Sequence, residues 1–386
     1  MNHNPVPDIP GIPVADTTWL KDRIASLLGL RNYRFPGAQP VSFGSAELKE
    51  LELEDYFVAE KSDGVRCLAF LTRARSTGEP EIYLFDRKSN FHVVTNMYFP
   101  IPQDKDYRKC HDDTIIDGEF VLDRCDDGSY ELKFLLFDCL MVAKRPLISR
   151  DLQKRLGVSM TAMRIDIKDI KSALIIFDFF IQYLKKEIIA PHHKMLMNRP
   201  DRKRNQPFTV EFKEQQFTYK LDVVFNQIMP NLRHGSDGLI FTSVGAPYNL
   251  GTSRKMIKWK PANENSVDFK VRLQYQHSTT IPGAIDATKK PRIDLLVWQG
   301  GTEYSYFTEL GITDQEWFST FGKNARKFDN RIIECNYDPD LQEKYQLASP
   351  WRFMRFRDDK PDGNHQSVVT NVMKSIADGV TKDEVS

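Results

Sequence analysis

Apolar and polar residues alternate in short runs through much of the chain up to Pro261, the period of half-buried strands. Tyr56, Phe57 and Val58 lead into the polar stretch Glu60-Lys61-Ser62-Asp63-Gly64-Val65-Arg66, and Cys67 to Leu71 leave it. This predicts a strand–turn–strand unit in which Gly64 lets the backbone turn. Further strands are predicted at 82–85, 91–94, 114–122 and 130–137, with Asp126-Asp127-Gly128 as the hairpin turn between the last two. Others follow at 208–212, 238–242 and 255–259. Helical spacing shows first where Asp16 caps a run whose Trp19, Leu20, Ile24, Leu27 and Leu28 share a face, with Gly29 as the stop. It shows again over 150–189, where the most apolar run, 173–183, is broken by Asp178 and is too short to span a bilayer. A last helix is predicted at 367–377, with Val368, Val369, Val372, Met373 and Ile376 as its apolar stripe and Gly379 as terminator.

After Pro261 the texture changes. Val267 to Leu273 alternates cleanly, and strands are predicted at 293–298, 331–335 and 351–356, which suggests a small separate barrel or sandwich. Trp298-Gln299-Gly300-Gly301 reads as a strand end and a turn. At 386 residues the chain has room for two or three domains, and 41% hydrophobic content suffices for ordinary cores. Basic and acidic residues balance, 54 against 53, so attraction to a polyanion must come from local clustering. The five cysteines are odd in number and scattered, without a Cys-x-x-Cys pair, which favours reduced thiols over a zinc site. The opening Met-Asn-His-Asn-Pro lacks the pattern of a signal peptide, so a protein of the cell interior with no membrane partner is expected.

The chemistry-bearing residues come in ordered clusters at predicted strand ends. After Lys61 come Phe85-Asp86-Arg87-Lys88, Ile116-Asp117-Gly118-Glu119, Ser236-Asp237-Gly238 and Ile257-Lys258-Trp259-Lys260-Pro261. Strand alternation puts Lys258 and Lys260 on one face, and Ile257 and Trp259 on the other. Two lysines on one face attract a polyanion, and two acid–glycine pairs attract a divalent cation, as a nucleoside triphosphate–metal complex requires. A lysine on a rigid turn amid other cations is favoured as a free amine, the form that can attack phosphorus. Singly, each cluster has a plain structural reading as a solvated strand face or an ordinary turn. Their joint occurrence in order makes the catalytic reading the stronger one. His192-His193 has no carboxylate or cysteine at metal spacing and reads as a loop or helix end. Arg199, Arg202, Lys203 and Arg204 form a basic loop, read first as solvated, with a nuclear address or a contact for phosphorylated protein or RNA as the alternatives. No basic stripe interleaved with aromatics stands out between Val267 and Arg357, which argues against a pure single-strand binder.

The ordered set resembles the motifs of the covalent nucleotidyltransferases, which comprise mRNA capping guanylyltransferases and ATP-dependent DNA and RNA ligases. The 35–43 loop, Phe137-Asp138-Cys139-Leu140, Val267-Asp268-Phe269-Lys270, Arg331-Ile332-Ile333-Glu334-Cys335 and the run from Trp351 to Lys360 are similar to fungal capping enzymes. Asn330 stands where that family often has glycine. The resemblance implies an α+β fold: a nucleotidyltransferase domain of ATP-grasp-like antiparallel sheets and helices over 1–262, then an OB-fold β-barrel lid over 263–365. It also implies that a helix over 366–386 packs back on the first domain. Lys61 would carry GMP from GTP and pass it to 5′-diphosphate RNA, forming a GpppN cap. Arg66 and Arg87 would lie near the ribose, and Glu119 near the ribose or metal. Asp237 would lie near metal and phosphates, and Lys258 and Lys260 at the α-phosphate. Arg357, Asp359 and Lys360 would close over the β- and γ-phosphates, and Lys213 would donate to guanine O6. Mg2+ or Mn2+ is the implied cofactor, with Glu119 and Asp237 as metal residues. Implied partners are the phosphorylated C-terminal domain of RNA polymerase II and a separate RNA 5′-triphosphatase, in the nucleus. The rival readings are a polynucleotide ligase that adenylylates Lys61 and a non-catalytic nucleic-acid or transcription-machinery module.

Overall fold

The computed structural model describes residues 5–156, 184–261, 265–277, 284–286, 288–321 and 328–377. The chain divides into two compact units, Met1–Ser42 with Lys49–Trp259 and Phe43–Leu48 with Lys260–Ser386. The division falls close to the boundary expected from the change of texture at Pro261.

Two sheets build the first unit. The larger has eight strands, running Ile12–Pro13, Phe91–Val94, Pro80–Phe85, Val65–Arg73, Thr114–Arg124, Tyr130–Val142 and Thr209–Phe212, with Arg145–Pro146 paired to one side. The smaller has five, in the order Gln216–Phe217, Tyr56–Ser62, Ser236–Ser243, Thr252–Trp259 and Gln39–Ser42. Most neighbours are antiparallel; Thr209–Phe212 and Gln39–Ser42 join their partners in parallel. Period-two alternation divides the larger sheet between two cores. Cys67, Ala69 and Leu71 face a core with Ile116, Phe120 and Phe134, while Leu68 and Phe70 face one with Tyr83, Phe85 and Ile115. Leu20, Ile24 and Leu28 of the Thr18–Leu28 helix join the second core, and Gly29 ends that helix in the left-handed region at φ 67°. The Ser45–Leu53 helix was not legible as one, and the apolar run at 173–183 lies outside the described residues.

The second unit holds a five-stranded antiparallel sheet in the order Glu303–Glu309, Arg292–Gly300, Ser266–Gln274, Ile332–Tyr337 and Trp351–Phe356. The first strand in sequence is central and pairs with both the second and the fourth, the Greek-key order of an OB-fold. Gly300 and Gly301, both at positive φ, make the expected turn. The strand that follows them at Glu303–Glu309 was not anticipated. Asn330 has φ 62°, which explains why glycine or asparagine suits that position.

The terminal helix, Gln366–Ala377, corrects one expectation. Val369 is buried in the core of the second unit, with Val372, Met373 and Ile376 packed against it. Its apolar stripe therefore completes the OB domain instead of returning to the first unit. The amphipathic pattern required a partner but carried no information about which one.

Candidate active site

Lys61 owes its presentation to an irregularity in the smaller sheet. Ser62 pairs with Ser236 and Glu60 with Leu239, so Asp237 and Gly238 together stand opposite the single residue Lys61. This is a β-bulge, and Gly238 takes φ 148° to make it. The bulge aims Asp237 at the lysine, and Nζ donates to Oδ1 at 2.6 Å. The Lys61 side chain keeps 25% of its exposure, enough for substrate to reach it. Lys258 is opposite Ile240, and Ile240 is opposite Ala59, two residues before Lys61. Residues directly opposite share a face, as do residues two apart on one strand, so Lys258 stands on the lysine's side of the sheet. Ile257 and Trp259 are buried on the other side, as alternation required.

Gly64 serves the turn differently from expectation. It is not among the glycines at positive φ. A Cβ there would lie 2.3 Å from the Phe120 carbonyl oxygen, so the absent side chain lets two strands approach closely. Gly118 does the same beneath the Phe134 ring, 2.6 Å from where its Cβ would stand.

Arg66 and Glu119 are register partners on the larger sheet. Arg66 is gripped at both edges of its fork: Nε donates to Asp117 Oδ1 at 3.0 Å and Nη2 to Oδ2 at 2.6 Å. Nη1 donates to the Ala38 carbonyl, and the Tyr248 hydroxyl also donates to Asp117. Burial would lower the guanidinium's pKa, but Asp117 raises it above its ordinary value. Its cation stands 5.4 Å from the centre of the Phe137 ring. Phe137 is itself the extra residue where pairing shifts between Asp117 and Gly118. The Arg66 expected near the ribose is thus a fixed wall of the site, held by Asp117, singled out in the sequence as half of an acid–glycine pair, and by Tyr248, which sequence reasoning missed.

Behind Lys61 runs a buried ion network that adjacency in sequence could not show. Lys213 Nζ donates to Ser62 Oγ at 2.7 Å and Glu119 Oε2 at 3.2 Å, and lies 3.4 Å from Glu60 Oε1. Ser62 Oγ donates onward to Glu60 at 2.9 Å. His234 bridges Asp123 Oδ1 at 2.6 Å and Glu60 Oε1 at 3.2 Å, and Lys133 pairs with Asp123 at 3.0 Å. Burial opposes charge on His234, yet the two carboxylates raise it to about 9, making it an imidazolium at neutral pH. Burial alone would raise Glu60 and Asp123; Lys213 and His234 hold the first low, and His234 and Lys133 the second. Burial would likewise depress Lys213, and Glu60 and Glu119 raise it instead. All three of its donor positions face protein groups here, where the resemblance had one reaching guanine.

Arg87 is exposed, one residue after Asp86, whose carboxylate accepts the amides of Lys88 and Asn90 at 2.9 Å and fixes the turn. Lys260 follows the last strand of the smaller sheet and is half-buried. Arg357, Asp359 and Lys360 gather within the second unit. Arg357 Nη1 donates to both Asp268 oxygens at 3.1 and 3.2 Å, Nη2 to Asp359 at 2.7 Å, and Lys360 pairs with Asp268. Asp268 lies in the Val-Asp-Phe stretch singled out in the sequence, and its role as common acceptor for Arg357 and Lys360 was not legible there. No group of three or more His, Cys, Asp or Glu arranged for a metal occurs among the described residues. Asp237 is part-exposed and Glu119 is engaged by Lys213. That donor set fits an ion shared with substrate phosphates, as Mg2+ commonly is, and not one caged by protein alone.

The model of the mRNA capping enzyme catalytic domain matches residues 6–175 and 164–262, and that of the mRNA capping enzyme C-terminal domain matches 264–386. The chain is 38% identical over 380 residues to the mRNA-capping enzyme subunit alpha of Schizosaccharomyces pombe, covering 98% of this chain and 86% of that one. It is 33% identical over 428 residues to the Saccharomyces cerevisiae protein of the same name, covering 100% and 86%. To the mouse mRNA-capping enzyme it is 28% identical over 352 residues, covering 90% of this chain and 48% of the mouse protein.

Proposed function

Since this chain belongs to the mRNA capping enzyme family and is a nucleotidyltransferase, we propose that it is the mRNA guanylyltransferase, moving GMP from GTP through Lys61 to 5′-diphosphate RNA. The observation that supports this most is the lysine itself: part-exposed, aimed by a bulge, 2.6 Å from Asp237, and on the face that carries Lys258. In the first half-reaction the Lys61 amine attacks the α-phosphorus of GTP. A P–N bond forms, the α–β P–O bond breaks, and pyrophosphate leaves with the electron pair. Asp237, hydrogen-bonded to Nζ, is placed to take the proton the amine sheds. In the second, a terminal phosphate oxygen of the RNA attacks the same phosphorus, the P–N bond breaks, and the amine regains a proton. One nucleotide site thereby serves both halves.

Lys258 and Lys260 offset charge at the α-phosphate, Arg66 and Arg87 border the ribose, and Arg357, Asp359 and Lys360 serve the β- and γ-phosphates. Mg2+ or Mn2+ would be held by Asp237, with Glu119 as the second carboxylate, and would supply charge neutralisation at the phosphates. The curated fungal relatives are named alpha subunits, which supports a separate triphosphatase as partner. The phosphorylated tail of RNA polymerase II and a nuclear location complete the reading.

Incubation with α-labelled GTP and a divalent cation, followed by a denaturing gel, tests the core of it. The wild type is expected to retain label. Lys61→Ala and Lys61→Arg should retain none, because arginine keeps the charge but offers no free amine. Label on Lys61→Ala would overturn the assignment, and preferential labelling by ATP would give the ligase reaction instead.

A further inference from the structure

We propose that His234 is a positioning residue for this reaction, setting the angle at which the Lys61 amine meets Asp237; this rests on the capping reading above. The smaller sheet is interrupted where its lysine stands. Asp237 and Gly238 bulge opposite Lys61, so the ladder has a gap between the Ser62–Ser236 and Glu60–Leu239 pairs. A strand with a gap in its ladder can rotate about its own axis, and such a rotation swings the lysine away from its acid. Alternation turns Glu60 and Ser62, the residues on either side, to the opposite face, where both are buried. Gripping those two side chains fixes the rotation, and with it the direction in which Lys61 leaves the strand.

The imidazole supplies that grip. Nε2 faces Glu60 Oε1 at 3.2 Å and Ser62 Oγ at 3.4 Å, and Ser62 donates to the same Glu60 oxygen at 2.9 Å. Nδ1 faces Asp123 Oδ1 at 2.6 Å on the larger sheet, where Lys133 holds that carboxylate at 3.0 Å. With a carboxylate at each nitrogen, both donate. Lys213 is the second cation on the pair, 2.7 Å from Ser62 Oγ and 3.4 Å from Glu60 Oε1, but it also answers to Glu119. His234 begins a segment that follows the Lys61 strand closely. The Gly235 carbonyl accepts the Asp63 amide at 2.7 Å, Ser236 pairs with Ser62, and Asp237 takes Lys61 at 2.6 Å. One residue earlier, the Arg233 carbonyl accepts the Arg124 amide at 2.9 Å. Backbone bonds therefore moor this segment to both sheets whatever stands at 234. What the side chain adds is the hold on Glu60 and Ser62.

Asparagine and glutamine divide the imidazole between them, because an Asn amide nitrogen stands near the place of Nδ1 and a Gln amide nitrogen near that of Nε2. His234→Gln keeps a donor to Glu60 and Ser62 and gives up Asp123; His234→Asn does the reverse. Each drops a charged contact, so both should melt below the wild type. Single-turnover formation of lysyl–GMP should stay near the wild-type rate in His234→Gln. In His234→Asn it should fall by roughly one to two orders of magnitude, the scale of loss when a reacting group is misplaced by about 1 Å. The GTP concentration that gives half the maximal rate should not move. Transfer from preformed enzyme–GMP to RNA should fall in His234→Asn as well, since the amine leaves phosphorus through the same geometry. Equal rates in the two variants, rates that merely follow their melting temperatures, or a change confined to half-saturating GTP would each overturn the role. If His234→Asn does not fold, the same cut is made from the partners. Asp123→Asn should then form the adduct at the wild-type rate and Glu60→Gln should form it slowly, and equal or reversed effects overturn the role. A wild type that takes no label from GTP would overturn the capping reading itself, and is seen before any variant is compared.

Discussion

His234 ties the chemistry of single residues to the stability of the first unit. Its two nitrogens face Asp123 and Glu60, whose other neighbours are Lys133 and Lys213. Folding raises the imidazole from its ordinary 6.5 to about 9. The stabilisation is therefore complete below pH 6.5, fades as the pH climbs, and is gone above 9. Glu60 and Asp123 are shifted the other way, so their contribution is present above their ordinary range and lost on acidification. The wild-type melting temperature should fall between pH 6.5 and 9 by the equivalent of a few kcal/mol, about 1.4 per pKa unit. His234→Gln, which is neutral at every pH, should start lower and flatten that fall when followed by scanning calorimetry. An unchanged slope would assign the pH dependence to another group. Lys61 was legible in the sequence because its neighbours form a motif. His234 was not, because its partners are brought to it by two strands of different sheets.

At the scale of elements, period-two alternation made most strands legible, to within a few residues at their ends. What it missed has physical reasons. Glu303–Glu309 carries Tyr-Ser-Tyr on a solvated edge, where polar and apolar residues mix and alternation loses its contrast. The bulges at Asp237 and Phe137 leave no mark on hydrophobic period, yet they aim the site's side chains. Gly64 shows how much rests on one such contact. An alanine Cβ would stand 2.3 Å from the Phe120 carbonyl oxygen, and backbone cannot rotate away as a side-chain tip can. Gly64→Ala should cost about 1–3 kcal/mol in chemical denaturation, as overpacking does, and should slow adduct formation by displacing the strand that carries Lys61. An unchanged denaturation midpoint would mean that the two strands part without cost.

For the whole molecule, the residues proposed for one reaction are divided between two units, which yields a prediction about its two halves. Lys61, Asp237 and Lys258 belong to the first unit; Arg357, Asp359 and Lys360 belong to the second, where Arg357 and Lys360 are tied to Asp268 and Asp359 accepts from Arg357. In the proposed reaction the second group serves the β- and γ-phosphates, which leave as pyrophosphate once Lys61 carries GMP. An interaction made in only one transition state is lost from that step alone. Arg357→Ala and Lys360→Ala should therefore slow lysyl–GMP formation by an order of magnitude or more, roughly what loss of one charge-assisted contact costs, and should affect transfer to RNA much less. Arg357 also grips Asp268, a buried carboxylate, so a plain loss of folding must be told apart from a loss of function. Arg357→Lys keeps the charge but not the fork; it should retain the fold and still be impaired in the first step. Single-turnover measurement of each half-reaction decides the matter, and equal losses in both would remove pyrophosphate departure as the reason these cations are present.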